Sequence, residues 1–269
     1  LVGVKVVRME GSLDLLQNGA RSLLGLCLTA KHVAAFEAYY EELTAWNRRL
    51  NLTTITGFQD VQIKHFLDSL TCLLALPFDS AESETEGRLP DTLPIRTAWQ
   101  PLLCLDVGTG AGFPGLPLKI IRPELRLTLL EATEKKTTFL RHVVERLGLE
   151  GVEIIAARAE ELGQVVYYRE RYDAVLARAV AELPVLAEYC LPFCRVGGRF
   201  IAQKGARIEA ELKQAQRALT ILGGEMREVK EIVLPETPGR RSLVIIDKVS
   251  PTPASYPRRP GIPSKRPLK

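Results

Sequence analysis

Two rhythms of apolar and polar positions divide the chain. From Ser12 to about Leu76 apolar residues recur at helical steps. In FEAYYEELTAWNRRLNL, Phe36, Tyr39, Tyr40, Leu43 and Leu50 fall three or four apart, which predicts one core-facing stripe on a charged helix. Asn51-Leu52-Thr53-Thr54 marks the end of that helix, and a second helix, carrying KHFLDSL, is predicted over roughly 59–76. Beyond residue 101 apolar runs alternate with helical stretches. LLCLDV precedes a helix from Pro114, LTLLEA one over 134–148, EIIAA a short one, YDAVLARA one over 182–194 and RFIAQKG one over 207–222. Such alternation predicts a parallel sheet with helices on both faces. The last two runs, about 225–234 and 241–248, are joined by the turn ETPGR. They are predicted to complete a mostly parallel seven-stranded sheet as an antiparallel terminal pair.

This pattern divides the chain into a helical N-terminal segment (9–78), a polar, acidic insertion or linker containing DSAESETEGRLPDTLP (79–101), an α/β domain (102–248) and a basic, proline-rich tail (249–269). The tail is predicted to be extended. The first methionine is Met9, so residues 1–8 are left out of the predicted fold, and LVGVKVV is too short for a secretory signal. No apolar run approaches the roughly 18 residues a membrane span needs. With 46% hydrophobic and 25% charged residues, the composition is that of a soluble globular protein. The five cysteines form no C-x-x-C pair; Cys190 and Cys194 are expected in the core, one turn apart on the 182–194 helix. An odd, scattered set suits a reducing cytosol, and three dispersed histidines argue against a metal site. Net charge is +4, but Arg258, Arg259, Lys265, Arg266 and Lys269 all lie in the tail, leaving 31 basic against 32 acidic residues elsewhere. The excess positive charge is therefore local, and the tail is expected to track RNA phosphates, a solubilising end being the plainer alternative.

The candidate chemistry starts at LCLDVGTGAGFPGLPL, residues 103–118. GAGFPG (Gly110, Gly112, Gly115) formally matches a dinucleotide fingerprint, whereas DVGTGAG places an acid before three alternating glycines (Gly108, Gly110, Gly112). A carboxylate at Asp106 would repel a pyrophosphate, and Pro114 removes an N–H that a helix start would offer to phosphate. S-adenosylmethionine, a cation without phosphate, fits better. Asp106 is expected to hold its cationic part, Gly108 and Gly110 to admit its amino-acid arm, Glu131 and the adjoining Ala132 to meet its ribose, and Ala159-Glu160 its adenine. The alternatives are a nicotinamide- or flavin-linked oxidoreductase, resting on GAGFPG alone, and a non-catalytic RNA-binding assembly factor.

WNRRLNLT, KHFLDSL, LDVGTGAGFPGLPLKIIRPEL, ARAVA and AQKG, in this order, resemble the glucose-inhibited division protein B family. The resemblance runs from about Ser12 to the PRRPGIPSKRPL tail and implies a Rossmann-like class I methyltransferase. It implies formation of 7-methylguanosine in 16S ribosomal RNA, on the small subunit or its assembly intermediate, in the cytoplasm. By resemblance Gly108, Phe113, Ala159, Glu160 and Arg178 match cofactor contacts, and Lys135, Arg158 and Lys204 match positions linked to substrate. Asn51 would likewise meet the target base, its plainer reading being a helix cap. Guanine N7 carries a lone pair and no proton, so its methylation needs positioning and not a general base. Lys135, Arg158, Arg178 and Lys204 follow four successive strands and would converge on one rim; the alternative for Arg158 is a pair with Glu161. His65 and Asp68 share a helix face, as an Asp-oriented catalytic histidine or, the slightly favoured reading, as a tie between the helical segment and the sheet. No oligomeric signal is visible, and a monomer is the default.

Overall fold

The computed structural model describes residues 12–77, 101–237 and 239–268. The predicted insertion at 79–101 lies, but for its last residue, outside the described residues, as do residues 1–8. Two helices, α1 (Asp14–Leu24) and α2 (Ala30–Leu50), open the chain. A continuous helical run follows: α3 (Phe58–Val61), a π-helical turn (Gln62–Leu67), α4 (Asp68–Leu70) and a 3-10 turn (Thr71–Leu74). Then come β1 (Leu103–Val107), α5 (Gly115–Ile121), β2 (Arg126–Glu131), α6 (Glu134–Arg146), β3 (Val152–Ala156) and α7 (Ala159–Leu162). They are followed by β4 (Tyr172–Arg178), α8 (Leu183–Cys190), β5 (Cys194–Lys204), α9 (Glu209–Leu222), β6 (Gly224–Val233), β7 (Arg240–Lys248) and α10 (Ile262–Lys265). The seven strands form one sheet in the order β3-β2-β1-β4-β5-β7-β6. The first five are parallel, and β7 enters antiparallel between β5 and β6.

Strand alternation sorts the core into two layers. Cys104, Ala174, Leu176, Leu243 and Ile245 pack with α1, α2, the 58–76 run, α5 and α6. Their strand neighbours Leu105, Val175, Ala177, Val244 and Ile246 pack with α7, α8 and α9. The predicted stripe is core on α2, with Phe36, Tyr39 and Leu43 buried and Tyr40 and Leu50 half-buried at its edges. Asn51 ends α2 in the left-handed region (φ 49°), as its place after the stripe predicts.

Two expectations are corrected. The helix predicted over 182–194 stops at Cys190, and Cys194 begins β5, so the two cysteines are buried in different elements. An apolar run alone does not separate the end of a buried helix from the start of a buried strand. The tail is also not a free extended strap. Arg258 grips Glu188, a carboxylate with no exposure on α8, through Nε (2.9 Å) and Nη2 (2.6 Å), while its N–H donates to the same group at 2.8 Å. Lys248, equally buried, donates to the carbonyls of Leu191 and Leu222 and to the Thr252 hydroxyl, seating the start of the tail.

Phe66, fully buried in the helical layer, has ring centroids 4.9 Å from Phe36, 5.4 Å from Tyr39 and 6.1 Å from Phe113. It joins that layer to the turn after β1. Phe66→Ala is expected to lower unfolding stability by about 3–5 kcal/mol, measured by urea denaturation; a loss below about 1 kcal/mol would contradict this packing.

Candidate functional site

The turn between β1 and α5 is built of backbone, because Gly108, Gly110 and Gly112 adopt φ of 68°, 61° and 97°, where side chains are strained. The N–H groups of Gly108 and Thr109 both donate to the Leu130 carbonyl at the end of β2 (2.8 and 3.1 Å). Asp106 lies beneath this turn without solvent exposure. One of its oxygens accepts from the Gly115 N–H (2.8 Å) and the Thr109 hydroxyl (2.6 Å). Burial pushes its pKa up to about 6 despite those donors. Glu131 accepts from the N–H groups of Gly110 (3.0 Å) and Thr133 (2.8 Å). Both acids therefore hold the turn. Strand alternation turns Asp106, expected to hold a cofactor's cationic part, toward α5, and it does not line the cavity described below. The same geometry weakens the dinucleotide reading: the first N–H of α5, where a phosphate would sit, is already bonded to a carboxylate.

The N-terminal layer walls the turn from the other side. Tyr39 donates its hydroxyl to the Ala111 carbonyl. Gly112 passes so close that a Cβ there would lie 2.6 Å from Tyr39 Oη. Between this layer and the carboxyl ends of β1, β4 and β5 lies a cavity of about 560 Å³. Its lining includes Gly108, Gly110, Phe113, His65, Arg178 and Lys204 from the sequence-based candidates. Small-ligand sites typically enclose roughly 300–1,000 Å³, and a bare-glycine floor gives a cofactor room to approach the backbone.

Arg178, at the end of β4, joins the two layers. Its Nη1 donates to Asp68 Oδ2 (3.3 Å), Ser69 Oγ and the Lys64 carbonyl, and its Nη2 to His65 Nδ1 (3.2 Å). Its guanidinium also lies 4.9 Å over the Phe113 ring, on which His65 stacks at 4.5 Å between centroids and 9° from parallel and Tyr39 at 5.3 Å and 18°. Arginine can only donate, so His65 Nδ1 is an acceptor and the ring proton sits on Nε2, facing Thr53 Oγ1 at 2.8 Å. Burial, with Arg178 beside it, drives the His65 pKa down to about 3. His65 is thus oriented by Arg178 and Thr53 and not by Asp68. Of the two readings of this pair, the geometry forms the tie between helices and sheet, with Arg178 as its centre. The π-helical turn that carries His65 brings it to this position.

Other candidates lie elsewhere. Ala132, Ala159 and Glu160 do not line this cavity, nor do Lys135 and Arg158, both exposed. Among the described residues Arg158 makes no ion pair with Glu161. Asn51 is an exposed helix cap outside the cavity. Lys204 is paired with Glu211 at 2.7 Å and donates to the Ala181 carbonyl. Four lining cations escaped the sequence reading: Lys64, Lys136, Arg207 and Arg241. Arg241 was hidden because β7 runs antiparallel, so its beginning, and not its end, reaches the rim; the pairing of Lys204 with Ser242 shows this.

The family model described as GidB, rRNA small subunit methyltransferase G, matches residues 88–243. Ribosomal RNA small subunit methyltransferase G of Pelotomaculum thermopropionicum is 50% identical over 255 residues, covering 95% of this chain and 98% of that protein. The protein of that name from Alkaliphilus metalliredigens is 45% identical with the same coverage, and that from Dehalococcoides mccartyi strain CBDB1 is 48% identical over 92% of this chain and 96% of its own length.

His65 generates a prediction about pH. Its folded pKa lies below the unfolded one, so the stability it leaves intact above about pH 6.5 is lost as pH falls toward 3. Against His65→Gln, the wild-type protein should lose on the order of 3 kcal/mol between about pH 6.5 and 4. Asp106, whose raised pKa acts in the opposite direction, is common to both proteins and drops out of the difference. Urea titrations across that interval check this, and parallel curves would show that His65 protonates in the folded state.

Proposed function

The chain belongs to the GidB family, rRNA small subunit methyltransferase G, and on that footing we propose that its cavity is where a methyl group passes from S-adenosylmethionine to N7 of a guanine in 16S ribosomal RNA. The observation that carries the reading is a cavity floored by Gly108 and Gly110 and rimmed by Lys136, Arg178, Lys204, Arg207 and Arg241. Bound S-adenosylmethionine supplies an electrophilic methyl on a sulfonium. Gly108, Gly110 and Phe113 would take its amino-acid arm, and Ala132, Ala159 and Glu160 its nucleoside. The cations at the rim would take the RNA phosphates and the guanine O6.

N7 has no proton to lose, so the protein has only to hold the base in line and exclude water. His65 suits such chemistry, because it is neutral, its Nδ1 is already bonded to Arg178, and it has no free basic nitrogen. In this reading it packs on the Phe113 ring beside Arg178 and so shapes the wall beside the methyl. Lys135 and Arg158 sit outside the cavity, where they would meet the RNA flanking the target. The described helical residues 12–77 would serve as the wall and the α/β residues from 102 to 248 as the cofactor domain. No described helix is long and apolar enough to cross a membrane, and the proposal places the enzyme in the cytoplasm, with ribosomal RNA or the small subunit as its partner.

Incubation with radiolabelled S-adenosylmethionine and small-subunit RNA or subunits lacking the modification, followed by nucleoside digestion, should yield labelled 7-methylguanosine. Label on another nucleoside would overturn the assignment, and cofactor binding without label would favour a non-catalytic assembly factor. Lys204→Met should lower kcat/KM for RNA roughly 100-fold while leaving cofactor affinity unchanged.

A further inference from the structure

Glu160 sits on α7, a helix of only four residues, too short to hold its own geometry. The C-terminal segment holds it. The Gly261 N–H donates to Glu160 Oε1 at 3.0 Å, and Glu160 as a whole is 6% exposed. Gly163, just after α7, lies so near Pro257 that a Cβ would come within 2.8 Å of its ring. Arg169, in the same connection, donates to the Gly163 carbonyl and to those of Tyr256 and Thr252, the last two at 2.7 Å. The clamp on α7 is therefore made of tail backbone, and Arg258 on buried Glu188 anchors it.

We propose that residues 252–268 are a positioning element for the cofactor's adenine. The tail fixes one oxygen of Glu160 so that the remaining acceptor capacity of the carboxylate meets the exocyclic amino group of adenine. This rests on reading Glu160 as the adenine contact. It reverses the expectation from charge alone, under which loss of the tail weakens only RNA binding.

A chain ending at Arg259 tests it. That variant retains the Arg258–Glu188 pair and the Arg169 bonds and lacks the Gly261 donor. Intact and shortened proteins are titrated with S-adenosylhomocysteine and with S-inosylhomocysteine, in which an oxygen replaces the amine. The intact protein should prefer the adenosyl compound at least tenfold. Shortening should raise its Kd about tenfold and bring the preference toward one. A preference retained after shortening overturns the proposal while the Glu160 reading stands. No preference in the intact protein overturns both. If the shortened chain does not fold, Pro263→Asp in the full chain, which unseats a buried residue of α10, carries the same titrations and the same outcomes.

Discussion

A carboxylate that cannot reach water sets the geometry of everything above the strand ends. Asp106 is buried under the turn it precedes, and its contacts with Gly115 and Thr109 tie the end of β1 to the start of α5. A buried acid is costly, and these donors satisfy only one of its two oxygens, in keeping with its raised pKa. Both ends of the turn are thus fixed, and three glycines in left-handed conformations span the gap with bare backbone upward. Glu131 restrains the middle through Gly110, and Tyr39 presses from the helical side. The floor of the cavity is accordingly a rigid strip of peptide, suited to a ligand that approaches backbone closely.

The second dependency is Arg178. A helical layer packed beside an α/β domain could slide against it if held by apolar contact alone. Arg178 removes that freedom by bonding to residues of the 64–69 stretch while lying on Phe113 of the glycine turn. Its partly buried pair with Asp68 is worth little as a net source of stability. Its value is registry: glycine floor and helical wall take one relative position. His65 completes the stack as a neutral ring, which frees a cationic site from a proton-transfer role that N7 methylation does not need.

Much of the fold is legible in the chain because periods of 3.6 and 2 residues are direct consequences of backbone geometry. All seven strands and the antiparallel closing pair follow from it. What the chain conceals is the direction in which a side chain points at the end of an element, and which distant residue it meets. Asp106 occupies the expected strand end but faces the core. Arg258 looks like free charge in a basic tail, yet its partner Glu188 lies 70 residues earlier in an apolar helix. The Cys190–Cys194 stretch is apolar throughout, so its change from helix to strand leaves no mark in hydropathy.

Arg241 exposes the same limit and changes the electrostatic argument. Outside the tail the sequence is nearly neutral, with 31 basic and 32 acidic residues. The cavity lining nevertheless gathers Lys64, Lys136, Arg178, Lys204, Arg207 and Arg241 against Asp68 and Glu211 alone. Six cations and two acids at one concave rim concentrate a positive field that the average charge does not reveal. The parallel strands bring Arg178 and Lys204 there, and the inserted antiparallel β7 adds Arg241 from its opposite end. A rim so assembled can attract a polyanion without help from the tail, which leaves the tail's docked backbone free to serve the cofactor pocket instead.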